Sequence, residues 1–325
     1  MINNPEKMKM ADFHQDTLNP LLYKILNSPE FEYARERNKQ IPQAGLQKMD
    51  IVFSSLYRRL NEEMKSGAVA GSAEQQQPIR ADIEKILDYY KSTDDFKIIE
   101  KPEDLVIVPE DTKSNSVILH LEGGDIITDP QVIDELYGRG VRSVGLLYSH
   151  DNQLGGGASG DVARGLTALG RQVVQKMLER NMIIDLAHAN HKTAQDILEA
   201  TVDYGKTVVT HTGFGTKQRF VTPELLKEIA QSGGVIGFTP ATPFFPTLAN
   251  YIENMKKASD LTGATDNLAV GTDFGGLSAE HLYAELDEIG KFSVIADKLS
   301  EQGGFGDDDI AKIMYGNIER IVKKL

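Results

Sequence analysis

The sequence predicts an α/β fold, a single (β/α)8 TIM barrel domain over residues 1–325 with helical insertions, and three observations carry that expectation. Eight short apolar runs recur, each followed by a turn and then by a segment of helical period. Several runs are almost continuously apolar, as in Met182-Ile183-Ile184-Asp185-Leu186, which suits parallel strands buried on both faces. Histidines and acids gather just after the runs, where the loops of such a barrel converge on one mouth.

Taken in order, the runs are residues 8–13, 49–56, 116–121, 143–147, 182–186, 207–210, 234–238 and 267–271. Helices lie between them. Residues 165–180 carry Leu166, Leu169, Val173, Val174, Met177 and Leu178 at helical spacing. Thr222-Pro223-Glu224 supplies a cap, a proline at the first helical position and an acid in the first turn, and Gly233-Gly234 ends that helix. Asp307-Asp308-Asp309 opens a last helix that finishes at Lys323-Lys324, matching the macrodipole. Residues 17–48 and 58–115 are long for simple connections and read as helical insertions plus a polar loop at 67–77, with an extra strand at 96–100.

Composition narrows the function. Net charge is −13 and no basic block appears, so the electrostatic footprint of a nucleic-acid binder is missing. With no cysteine, disulfides and thiolate chemistry are excluded, and any metal must sit on His, Asp and Glu. Glu6, Lys7, Lys9 and Asp12 interrupt the first residues, and no stretch approaches the roughly 18 apolar residues of a membrane span. A soluble, cytoplasmic protein with no membrane partner is expected.

Six of the eight runs lead to a candidate site residue. Asp12-Phe13-His14-Gln15-Asp16 follows the first; on an extended strand His14 and Asp16 share a face while Phe13 and Gln15 take the other. Glu122 follows the third run, His150 the fourth, His188 the fifth, His211 the sixth and Asp273 the eighth. Each alone has an ordinary reading as a loop hydrogen-bonding group, a turn acid or an Asx turn. Together these residues are too many for one tetrahedral ion and suit two metals about 3.5–4 Å apart with a shared hydroxide. Glu122 is the natural bridge and Asp273 the proton shuttle. His120 is expected to pack inside the barrel, His191 to start a helix and His281 to lie on a surface loop.

With these residues assembled, the chain resembles the membrane (renal) dipeptidase family, peptidase family M19, of the amidohydrolase type of metallo barrel. The resemblance runs from Asp12-Phe13-His14-Gln15-Asp16 to Gly316-Asn317-Ile318-Glu319-Arg320-Ile321. It implies a binuclear zinc dipeptidase, with other divalent first-row metals as alternatives, often a homodimer. His14 and Asp16 would ligate one zinc, Glu122 would bridge, and His188 and His211 would hold the second. Tyr148-Ser149-His150-Asp151-Asn152 matches the substrate-binding segment, giving His150 and Asn152 to the dipeptide and His150 to its carbonyl. Arg219 matches the arginine that grips the substrate's C-terminal carboxylate, and Asp273 the acid of Gly-x-Asp-Phe-x-Gly. The chain departs from the family at Phe13 and Gln15, where Gly and Asn are usual, at Gly275, where an aspartate is usual, and in a short segment between His211 and Arg219. An amidohydrolase acting on N-acyl amino acids or other amides, and a non-catalytic metal-binding barrel, are the competing readings.

Overall fold

The computed structural model describes residues 8–16, 37, 39–56, 73–105 and 115–325. All eight apolar runs form strands. They are β1 (Ala11–Gln15), β2 (Ile51–Leu56), β4 (Asn115–Glu122), β5 (Val141–Gly145), β6 (Ile183–Asp185), β7 (Thr207–Thr212), β8 (Ile236–Phe238) and β9 (Leu268–Val270). The extra strand is β3 (Phe96–Ile98), which pairs with β4 outside the barrel path. Every pairing is parallel, in the order β1-β2-β4-β5-β6-β7-β8-β9. The seam between the ends is drawn together by Asp16 N–H to Phe274 O at 2.8 Å and Asp273 N–H to His14 O at 3.0 Å.

Helices cover the outside: α1 (Gln43–Leu46), α2 (Ala73–Ser92), α3 (Gln131–Gly138), α4 (Ala168–Glu179), α5 (His191–Ala200), α6 (Pro223–Gln231) and α7 (Leu248–Thr262). Their starts follow the sequence: the side chains of Thr167, Asn190, Thr222 and Thr247 cap α4, α5, α6 and α7 by accepting a backbone N–H three residues on. The C-terminal segment is α8 (Val294–Lys298), α9 (Asp307–Ala311), a π-helical turn at Lys312–Gly316, and α10 (Asn317–Val322). Of the two long connections, α1, α2 and β3 are described, and the first part of the polar stretch at 67–77 lies outside the described residues.

The strands divide the core in two. Val52, Val117, Leu119, Val144 and Ile184 pack outward against the helices. Phe13, Phe53, Ile118, Ile183, Val208 and Ala269 fill the barrel interior, and Ile318, Ile321 and Val322 of α10 join that cluster. A filled interior makes the barrel a rigid core whose polar residues are concentrated towards one end of the strands.

Candidate metal centre

Polar residues replace apolar ones where the strands finish. His14 of β1, Glu122 of β4 and His211 of β7 each offer a ligand atom, all within 4.8 Å of one another and all buried. His14 Nε2 lies 3.5 Å from Glu122 Oε2, and His211 Nε2 lies 3.5 Å from Glu122 Oε1. His188, three residues beyond β6, closes the group with its Nε2 2.9 Å from both Glu122 Oε1 and His211 Nε2. Asp16 and Asp273 crowd one glycine: a Cβ added at Gly276 would collide with Asp273 Oδ1 and come within 2.7 Å of Asp16 Oδ2.

Three of these residues lie inside strands rather than after them. Buried polar side chains that satisfy one another let the ladder continue, so the apolar run ends sooner than the strand does. Register shifts then re-aim the side chains, one of them between Leu119 and His120 in the β4/β5 pairing, just ahead of Glu122. The β1/β2 pairing shifts between Asp12 and Gln15, and the β7/β8 pairing between Val209 and Thr212. Such irregularities bend a strand and redirect its side chains, frequently beside functional sites. The face expected for Phe13 is corrected accordingly: it packs edge-on against Phe53 at 4.7 Å within the interior cluster, while His14 next to it faces Glu122.

Backbone strain collects at the same mouth. Ser149, His188 and Asp273 hold left-handed φ values of 49°, 64° and 58°. Each costs on the order of 1–3 kcal/mol and persists where its surroundings hold it. His188 is held by its ring: Nδ1 accepts from Ser149 N–H at 3.2 Å and from Arg219 Nη1, and Tyr148 packs on the ring at 4.5 Å. Nδ1 is thus turned to Ser149 and Arg219, and Nε2 faces Glu122 and His211.

Charge in the cluster is unbalanced towards the anion. Burial would depress His14, but Glu122, Asp273 and Asp16 outweigh it and lift its pKa to about 10. Burial would raise Glu122, yet His14 and His188 hold it well below the usual carboxylate range. Asp16 is pushed up to about 8, by burial first and then by repulsion from Glu122 and Asp273. Burial also raises Asp273 to about 6 against the pull of His14. Burial, reinforced by Arg219, lowers His188 to about 4, and burial with the neighbouring imidazoles lowers His211 well below its ordinary value.

These residues fit a divalent cation. His14 Nε2 is buried with no hydrogen-bond partner among the described residues, and crowded carboxylates with raised pKa values await a positive charge. The donor set is imidazole nitrogen and carboxylate oxygen, which suits zinc and related first-row ions.

The remaining candidates are distributed unevenly. Arg219 returns to the mouth because its loop folds back on itself, with Val221 N–H donating to Gly213 O at 2.9 Å and Gly215 N–H to Val221 O at 3.0 Å. His150 is exposed on the loop after β5, and it is Tyr148 and Ser149 of its segment that touch His188. Asn152 is buried and spends its amide on that loop: Nδ2 donates to Leu146 O and Oδ1 accepts from Leu154 N–H, both at 2.8 Å. His120 packs inside the barrel with Nδ1 2.9 Å from Ser143 Oγ, and His191 is the first residue of α5. His281 ends a single 3-10 turn at Ala279–His281.

Sequence reading missed Ser55, Asp185 and Thr210. Ser55 Oγ donates to Glu122 Oε2 at 3.1 Å, and Thr210 and Asp185 lie directly behind the histidines. Their signal was present as polar residues inside otherwise apolar strand runs.

A sequence profile of the membrane dipeptidase family, peptidase family M19, matches residues 5–325. Among curated proteins, an uncharacterised dipeptidase of Schizosaccharomyces pombe is 24% identical over 248 residues, covering 72% of this chain and 59% of its own length. Dipeptidase tcpJ of Claviceps purpurea is 25% identical over 256 residues, covering 75% and 58%. The match thus spans less than two thirds of the length of either relative. Among solved structures, a metallo peptidase from Rhodobacter sphaeroides, liganded with a phosphinate mimic of L-Ala-D-Ala, superposes with a TM-score of 0.78 at 19% identity, over 98% of this chain and 99% of that one. The probable dipeptidase PvdM from Pseudomonas aeruginosa gives 0.78 at 16% identity, over 98% and 96%. At such identities these likenesses speak for the fold, and the profile match speaks for descent. The chain belongs to the membrane dipeptidase family, peptidase family M19.

Proposed function

We propose that the chain is a cytoplasmic dipeptidase using two divalent cations, zinc in the first instance, to hydrolyse the amide bond of a dipeptide. The observation that carries this reading is the convergence of His14, Glu122, His188 and His211 at one end of the barrel in a chain of this family. His14 and Asp16 would hold one cation and His188 and His211 the other, with Glu122 shared. When bound, the cations supply Lewis acidity towards the scissile carbonyl and lower the pKa of water.

The chain's own residues supply the rest. Asp273 takes the proton of the attacking water and delivers it to the leaving amine. Arg219 grips the substrate's free carboxylate, a task for a planar, always-charged fork. His150 contacts the peptide carbonyl from its exposed loop, and Asn152 serves substrate binding by holding that loop in place.

Metal analysis and a dipeptide panel test the reading. Two equivalents of metal per chain, with turnover lost on chelation and restored by zinc, are expected. A protein that binds no metal and cleaves no dipeptide with zinc added would overturn it. Cleavage of N-acyl amino acids but of no dipeptide moves the assignment to a related amidohydrolase. Bound metal without amide turnover leaves a metal-binding barrel.

A further inference from the structure

Behind the candidate ligands the barrel interior holds a polar pair to which the proposed function gives no part. Thr210 Oγ1 stands 3.0 Å from His211 Nδ1, 3.2 Å from His14 Nδ1 and 2.6 Å from Asp185 Oδ2. Thr210 N–H also reaches Asp185 Oδ1, at 2.9 Å, and Ala187 N–H reaches the same oxygen at 2.9 Å. All four side chains are buried.

A hydroxyl has a single proton and two lone pairs. Asp185, whose Oδ1 is saturated by two backbone N–H groups, presents Oδ2 as an acceptor, and the 2.6 Å contact takes the Thr210 proton. Both lone pairs of Oγ1 then face imidazole nitrogens. Each Nδ1 must carry a hydrogen to donate, which leaves Nε2 of His14 and of His211 as the metal-facing atoms beside Glu122. One hydroxyl thereby sets the tautomer of two ligands that come from β1 and β7.

We infer that Thr210 and Asp185 are positioning residues for the metal centre: Asp185 orients the Thr210 hydroxyl, and the hydroxyl holds His14 and His211 with their Nε2 atoms turned to the metal. The inference rests on the metal-site reading above. Outer partners of this kind typically change metal affinity 10–100-fold when removed.

The substitution Asp185→Asn tests the direction of the relay with almost no change of shape. Its amide oxygen must stay with the two backbone N–H groups, so its NH2 faces Thr210 Oγ1. The hydroxyl then has to donate to one imidazole Nδ1, which moves that ring's proton to Nε2 and blocks the ligand atom. Thr210→Val removes the hydroxyl at constant volume, and Thr210→Ser keeps it.

Zinc affinity of the full-length chain, measured by competition with a chromophoric chelator, is the readout, with melting of the metal-free proteins as the folding control. Expected are a loss of about 10–100-fold for Thr210→Val and for Asp185→Asn, and Thr210→Ser within about 3-fold of wild type. In the double variant, Asp185→Asn adds little once Val occupies position 210, because Asp185 acts through the hydroxyl. Unchanged affinity in both single variants, or full additivity in the double, overturns the inference while wild-type zinc binding leaves the function intact. Wild-type protein that binds no zinc overturns both. Should Thr210→Val melt early without metal, the isosteric Asp185→Asn decides alone.

Discussion

Gly275 and Asp16 touch across the seam that closes the barrel: a Cβ at Gly275 would approach Asp16 O to 2.6 Å and Asp16 Cβ to 3.0 Å. Gly275 also sits at φ +84°, where other residues are strained. A side chain at this position is therefore strained by the backbone and crowded by Asp16. Gly275→Ala is expected to lower stability by at least about 1–2 kcal/mol from the left-handed φ alone. It should also shift Asp16 and reduce metal occupancy, and denaturant unfolding with metal analysis checks both.

Removing the proposed proton carrier should separate chemistry from binding. Asp273→Asn is expected to lower kcat by about 10²–10⁴-fold with metal content unchanged. Steady-state kinetics beside metal analysis of the same preparation gives the comparison, and equal losses of metal and rate would make Asp273 a ligand instead.

For Arg219 the expectation concerns KM. Arg219→Ala should raise KM for dipeptides with a free C-terminal carboxylate and leave C-terminal amides little changed. Arg219→Lys should restore only part of the difference, because an ammonium offers no planar fork.

A second seam contact predicts stability. Thr272 N–H and Oγ1 both donate to the buried Asp12 carboxylate, at 2.9 and 2.5 Å, tying β1 to the end of β9. Asp12→Ala removes the acceptor of both donors, with an expected cost of about 1–3 kcal/mol in urea unfolding. Asp12→Asn, which keeps an acceptor, should cost less.

Lys206 predicts a pH dependence far from the mouth. Its ammonium reaches Asn181 O at 2.5 Å and Lys324 O at 3.1 Å, and burial, then Lys324, lower its pKa from 10.5 to about 8. The unfolded chain holds this proton more tightly than the folded one. The penalty is therefore full below about pH 8 and is relieved as pH rises from 8 towards 10.5. Wild type should gain stability relative to Lys206→Met across that window, as melting at pH 7.5 and pH 9.5 would show.

The fold was legible because parallel strands buried on both faces leave a periodic apolar trace, and because Thr222-Pro223-Glu224 and the other caps punctuate the helices. Glu122, His188 and His211 were legible for a related reason: position after a strand run is itself geometric information. What escaped was register. A sequence read with strict alternation sets Phe13 opposite His14, and nothing in the residue order announces the shift that lets both face inward. Thr210 and Asp185 escaped because a polar residue within an apolar run reads as a tolerated exception. Only when β6 and β7 lie side by side does it become a partner for a ring donated by β1.

The seam between β1 and β9 also fixes when the site can exist. Thr272 Oγ1 contacts His14 O across 258 positions of chain, and α10, later still, packs into the barrel interior. His14 and Asp16 are made before Glu122, then come His188 and His211, and finally Asp273. Contacts this distant in sequence close late. The candidate ligands therefore come together only once β1 has met the segment after β9, and a cation held by all of them is expected to bind after the barrel has closed.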